Sequence, residues 1–341
     1  MTGFDAYPRL AAASARGRAF LGSETAMMAG AMTWVSEHRL VAAISNAGGF
    51  GVLACGAMTA DQLAQEIAAT QSATDRPFGV NLIVLHPDLP ALVEVCLEQR
   101  VGHVVFAGGP PPVELIRRLK NHGCRVLAFA TTLAVARRLV RQGVDALIIE
   151  GSEAGGHIGP VATSVLAQEI LPHLREVPVF VAGGIGHGEM IAAYLLMGAA
   201  GVQMGTVFVC AEESIAHPNF KRAFIRASAR DAVPSVQLDP EFRVIPVRAL
   251  VNAAVRDFIR TQREVIDRYR AGELSYEEAS LAIEHFWAGA LRRAVIEGDV
   301  ERGSLMAGQS VGMVKAVRPA EAILHELAEQ AERTLARQGA G

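Results

Sequence analysis

His157 closes the stretch Glu150-Gly-Ser-Glu-Ala-Gly-Gly-His157-Ile-Gly159, which holds carboxylates, a pair of adjacent glycines and one imidazole. An imidazole titrates near neutral pH and can exchange a proton with a substrate. Gly155 and Gly156 put no Cβ in the way, so the backbone there can come close to a bound group. The plainer reading is a tight strand-to-helix turn with a solvent-facing histidine. Two other stretches carry binding chemistry, Ala182-Gly183-Gly184-Ile185-Gly186 and Gln203-Met204-Gly205-Thr206. Each is a glycine-bearing turn ahead of a helical pattern, which suits a phosphate held on backbone N–H groups. The Thr206 hydroxyl adds a donor. Either turn alone needs nothing more than a glycine at positive φ, but both at consecutive strand ends favour a phosphate site.

These residues need a frame that brings strand ends together. From residue 24 to about 228 short apolar runs alternate with helical patterns. The runs are Thr25–Gly30, Gly51–Ala54, Phe78–Val84, His103–Ala107, Arg125–Ala130, Ala146–Ile149, Val177–Ala182 and Gly201–Thr206. Between them lie apolar residues at three- and four-residue spacing, as in Ala60–Ser72, Leu89–Gln99, Val113–His122 and Leu133–Gln142. Gly123 and Gly143 follow two of these segments as left-handed C-caps. Strict alternation predicts parallel strands with crossover helices, and eight units favour a closed (β/α)₈ (TIM) barrel. An open doubly wound sheet is the alternative; no Gly-x-Gly-x-x-Gly fingerprint follows the first strand to support it. In a barrel the loops after the strands form the active face. That puts Ala31 and Met32, Asn81, Glu150, Gly156 and His157, Gly183 and Gly184, and Gln203, Gly205 and Thr206 on one side.

Three regions result: an N-terminal arm over 1–20, the barrel over 21–228 and a mainly helical C-terminal region over 229–341. In the last, helices are expected at Val247–Arg270, Tyr276–Glu297 and Ala320–Ala336. The glycine-rich stretch 298–312 interrupts them, and with Met306 and Gln309 it reads as a loop returning to the active face. Half of the residues are hydrophobic, enough for a large core, and a net charge of −3 leaves no basic footprint for nucleic acid. Four cysteines lie far apart, without metal-ligand spacing, so buried free thiols are expected and no metal. No apolar run has the length of a membrane span, and a cytoplasmic protein is expected. The amphipathic Val251–Arg270 segment leaves a homodimer possible.

The assembled set resembles the FMN-dependent barrel family of nitronate monooxygenases (2-nitropropane dioxygenases) and the flavin-type enoyl-acyl-carrier-protein reductase, FabK. Seven pieces match in order: Ala31-Met32-Thr33-Trp34-Val35, residues 43–51, Pro77-Phe78-Gly79-Val80-Asn81, residues 150–159, Ala182–Ile185, Gln203–Thr206 and residues 303–309. The resemblance implies FMN with its phosphate on Gly183, Gly184, Gly205 and Thr206. It implies that Asn81 and Gln203 contact the flavin or its ribityl chain, with Glu150 nearby. It places Ala31 and Met32 at the ring, closes Met306 and Gln309 over it, and makes His157 the active-site histidine. Ile158 stands where the best-known nitronate monooxygenases often carry arginine, and the tail around Met306 is closer to the reductase. The usual Gly-Gly-Met of the first strand is Gly30-Ala31-Met32 here.

The reading that follows is an oxidoreductase using NADH or NADPH to reduce an enoyl thioester, on an acyl-carrier protein or as a small molecule. The alternative is a nitronate monooxygenase that oxidises alkyl nitronates with O₂. A third reading is a flavin- or phosphate-binding barrel without turnover.

Overall fold

The computed structural model describes residues 3–242 and 244–338. Residues 1–2 of the expected arm and 339–341 of the C-terminal region lie outside the described residues. Eight parallel strands close into a barrel: Met27–Ala29, Phe50–Ala54, Gly79–Ile83, His103–Ala107, Arg125–Ala130, Ala146–Glu150, Val179–Ala182 and Gly201–Met204. The first pairs with the last, Met28 opposite Gln203, so no edge is left open. Each strand overlaps one of the eight apolar runs, with Phe50 and Glu150 extending two of them by one residue. The runs overshoot where Gly30, Gly205 and Thr206 leave the ladder for the active-face loops. The expected crossover helices follow at Ala60–Ala73, Leu89–Glu98, Val113–Asn121 and Leu133–Arg141.

Alternate strand residues fill the interior. Met28, Phe50, Val52, Val105, Leu127, Ile148 and Phe180 pack together there, and Leu21 closes the N-terminal end from outside the sheet. Leu21 ends the helix Ala15–Leu21, so the arm is a plug. The Phe20 carbonyl lies 3.1 Å from His103 Nε2 and also accepts from Arg125 Nη1. Burial pushes the His103 imidazole down to about 4. It is therefore neutral at neutral pH, because burial disfavours the charged ring more than the Phe20 carbonyl favours it.

The C-terminal region is helical, with Ala253–Arg270 and Tyr276–Val295 packed on one another and Ala320–Gln338 against Gly188–Leu196. One expectation is corrected. Val247–Leu250 is not the start of the helix; it is the middle strand of a three-stranded sheet, between Ala232–Pro234 and Gly156–His157. The helix begins at Ala253, where the Asn252 side chain accepts from Ala254 N at 3.0 Å. Both strand partners are distant in sequence, so a local apolar spacing could not distinguish the two conformations. Among the described residues no helix is long and apolar enough to cross a membrane.

The arm's fit predicts a stability effect. A Cβ on Gly17 would lie 2.1 Å from the Ala200 carbonyl oxygen. Gly17→Ala should therefore force the arm off the barrel and destabilise the protein by about 1–3 kcal/mol or more, the scale of overpacking. Denaturant unfolding of the two proteins measures it; an unchanged midpoint would rule out the plug as a stabilising element.

Candidate active site

The strand ends open into one cavity of about 600 Å³. Its wall takes Ala31 and Met32 from the first strand, Asn81 from the third, and Glu150, Gly156 and His157 from the sixth. Gly183 and Gly184 come from the seventh, Gln203, Gly205 and Thr206 from the eighth, and Met306 from the returning loop. Gln309 is placed differently. Its neighbours Gly308 and Ser310 line the cavity, while its own N–H donates to the Glu153 carbonyl at 2.9 Å.

The sixth-strand loop owes its shape to long-range contacts. Gly156 sits at φ 78°, a left-handed conformation that favours glycine. Gly156 and His157 pair antiparallel with Arg248 and Val247, and Ile158 N donates to the Pro246 carbonyl at 2.9 Å. Arg248 is buried; its Nε donates to the Ser152 carbonyl at 2.8 Å and its Nη1 to that of Ala232. Burial lowers the Arg248 pKa, and the charge of Glu153 opposes that. Glu153 also accepts from Thr163 N at 2.7 Å and Thr163 Oγ1 at 2.8 Å, capping the helix Thr163–Ile170.

The returning loop lies directly on this one. A Cβ on Gly155 would stand 2.5 Å from Gly308 N, so the two backbones meet with no room for a side chain. Gly308 N donates to Thr206 Oγ1 at 3.0 Å, which links the loop to the eighth strand. Leu250 N donates to the Leu305 carbonyl at 2.9 Å and holds Met306 over the cavity.

The expected phosphate turns have the required form. Gly183 and Gly184 lie at φ 98° and 74°. Among the described residues no backbone group accepts from the N–H groups of Gly183, Gly184, Gly205 or Thr206. Four free donors on two adjacent loops suit a phosphate. Asn81 is oriented by its Nδ2, which donates to the Val105 carbonyl at 2.9 Å. Gln203 lies across Gly30, where a Cβ would come within 3.0 Å of its Nε2. The residues and the volume fit FMN, since small-ligand sites span roughly 300–1,000 Å³.

Two ionisable groups line the cavity in opposite settings. Burial alone pushes the Glu150 carboxyl up to about 8, and among the described residues nothing donates to it. His157 sits nearer solvent, with Nε2 3.0 and 3.1 Å from the two carboxylate oxygens of Glu284. Glu284 and Arg248 were not among the residues expected to act. Glu284, one acid among many on a helix, carried no signal in the sequence. Phe129 in the fifth strand, Thr131 just after it, and Ile245 and Leu291 also line the cavity.

Comparison with known proteins agrees with this geometry. The nitronate monooxygenase family model matches residues 16–93 and 89–330. A (3aS,4S,5R,7aS)-5-hydroxy-7a-methyl-1-oxo-octahydro-1H-indene-4-carboxyl-CoA dehydrogenase of Mycobacterium tuberculosis is 33% identical, over 86% of this chain and 89% of that one. A nitronate monooxygenase of Paraburkholderia phytofirmans is 30% identical, over 89% and 91%. The structure of FabK from Thermotoga maritima superposes with a TM-score of 0.85 at 37% identity, covering 95% and 98% of the two chains. The barrel, its glycine turns and these matches together make this chain an enzyme, an oxidoreductase that belongs to the nitronate monooxygenase family.

Proposed function

We infer that this chain is an FMN-dependent oxidoreductase that uses NADH or NADPH to reduce the α,β-double bond of an enoyl thioester. The observation that carries this reading is the charge of the cavity wall. Among the described lining residues there is no lysine or arginine. Glu150 holds its proton near neutral pH, because burial opposes its charge. A neutral acyl chain suits such a wall better than a nitronate anion, which would meet no fixed cation. The likeness to FabK and to an indene-carboxyl-CoA dehydrogenase supports thioester chemistry. The family match supports a second reading, a nitronate monooxygenase, in which His157 would act on the anionic substrate.

The N–H groups of Gly183, Gly184, Gly205 and Thr206 would hold the FMN phosphate. Asn81 and Gln203 would meet its polar groups. FMN bound there supplies hydride acceptance from the nicotinamide and hydride donation to the β-carbon of the thioester. Met32 and Met306 exclude water from the cavity with flexible apolar side chains. Glu150, neutral, can donate a hydrogen bond inward. His157 holds a proton on its ring and is the group that can deliver it to the α-carbon.

Anaerobic mixing of the FMN-loaded protein tests the two readings. Rapid bleaching by NADH or NADPH, followed by recolouring with crotonyl thioester, is the expected result. Bleaching by propionate 3-nitronate alone, with no response to either nicotinamide, would replace the first reading by the second. His157→Ala should keep its flavin and lose ~10²-fold or more in turnover, the scale of a missing general acid.

A pH dependence follows from Glu150. The folded protein binds its proton more tightly than the unfolded chain, since its pKa rises from 4.5 to about 8. The stability that it contributes is thus full below 4.5 and declines as pH rises, until about 8. Ligand-free Glu150→Gln should lose less stability than the parent between these limits. Urea unfolding at several pH values reads this, and parallel curves for the two proteins would contradict it.

A further inference from the structure

We propose that Glu284 is a positioning residue for His157, selecting its tautomer and holding its proton-bearing form in place from a helix outside the barrel. This rests on the reading of His157 as the proton-handling group. His157 is on the sixth-strand loop, and Glu284 is 127 residues further along the chain, on Tyr276–Val295. Their side chains are 42% and 40% exposed, so the pair by itself is worth little to stability. Its geometry is the informative part. Both carboxylate oxygens lie within 3.1 Å of the same ring nitrogen, Nε2. Nδ1 has no hydrogen-bond partner among the described residues.

The helix is held so that this meeting is not accidental. Glu284, Trp287 and Leu291 share one face, at helical spacing. Trp287 is buried, with its ring centroid 4.3 Å from that of Phe258 on the companion helix. Leu291 reaches the cavity wall. The Arg292 guanidinium stands 5.8 Å over the Trp34 ring, beyond the first barrel strand. The helix is thus anchored to the barrel mouth about two turns beyond Glu284, by Leu291 and Arg292.

The chemistry follows from the acceptor. A carboxylate accepts only, so the nitrogen facing it must carry hydrogen. Nε2–H is therefore kept in both the neutral and the charged ring, and Nδ1 is the position that gains and loses a proton. In the reductive direction Nδ1–H gives its proton to the α-carbon as hydride reaches the β-carbon. The ring returns to the neutral Nε2–H form, Glu284 stays ionised throughout, and solvent restores the proton at Nδ1. A carboxylate fixing an imidazole tautomer does not itself change protonation.

The test uses the flavin-loaded protein labelled with ¹⁵N-histidine, at alkaline pH, with His157→Ala to assign the His157 signals. The parent should show Nε2 protonated and Nδ1 bare. Glu284→Ala should turn this into a mixture of tautomers, and Glu284→Gln, whose carbonyl still accepts, should restore it. In turnover with crotonyl thioester, Glu284→Ala should lose ~10-fold in kcat, the low end of the loss seen for carboxylate partners of metal-bound histidines. KM and flavin content should stay near the parent's, and the loss should vanish in a His157→Ala background. An unchanged tautomer in Glu284→Ala, or an equal loss without His157, would overturn the proposal. If the thioester reading itself fails, the parent shows no turnover while the ¹⁵N signals still decide the role of Glu284.

Discussion

The antiparallel pairing of Gly156–His157 with Val247–Arg248 is the contact on which the active face depends. A loop of glycines after a strand end has no conformation of its own to keep. The pairing gives it one, and buried Arg248 secures it by bonding the Ser152 carbonyl on one side and that of Ala232 on the other. A guanidinium taken out of water must have such acceptors, because a buried charge without partners is costly. Glu153 offsets the charge and in the same place caps the following helix. One cation thus ties the sixth-strand loop to a sheet formed almost a hundred residues later.

Once that loop is set, the returning stretch can be laid over it. Gly155 and Gly308 approach so closely that neither could bear a side chain, and Thr206 accepts from Gly308 N. Three loops from distant parts of the chain are thereby fused around the cavity. The N–H groups of Gly183, Gly184, Gly205 and Thr206 are not used in this fusion. The result is a wall in which rigidity comes from backbone contacts, while the side chains left facing inward are mostly apolar.

Environment separates the two titratable groups of that wall. Glu150 is half-buried with no donor among the described residues, and burial raises it to about 8. His157 lies at the rim, with a carboxylate at its Nε2. The helix Tyr276–Val295 joins the arrangement through Glu284 and Leu291.

Much of this was legible in the order of residues. Apolar runs such as His103–Ala107 and Arg125–Ala130 are strands to the residue, because a strand buried on both faces leaves a continuous apolar signature. Gly183, Gly184, Gly205 and Thr206 could be placed at one end of a barrel, since alternating strands and helices put every such turn on the same side. His157 followed from the same rule. Other features required the folded chain. Val-Arg-Ala-Leu at 247–250 became a strand only because Gly156–His157 and Ala232–Pro234 flank it. Gln309 was expected at the cofactor, but its N–H is taken by Glu153 and its neighbours face the cavity instead. Glu284 meets His157 through the docking of a helix on the barrel mouth. Local propensity and spacing determine which segments are strands, helices and turns. Which distant segments share a hydrogen bond is decided by packing, and the residues around His157 depend on such bonds.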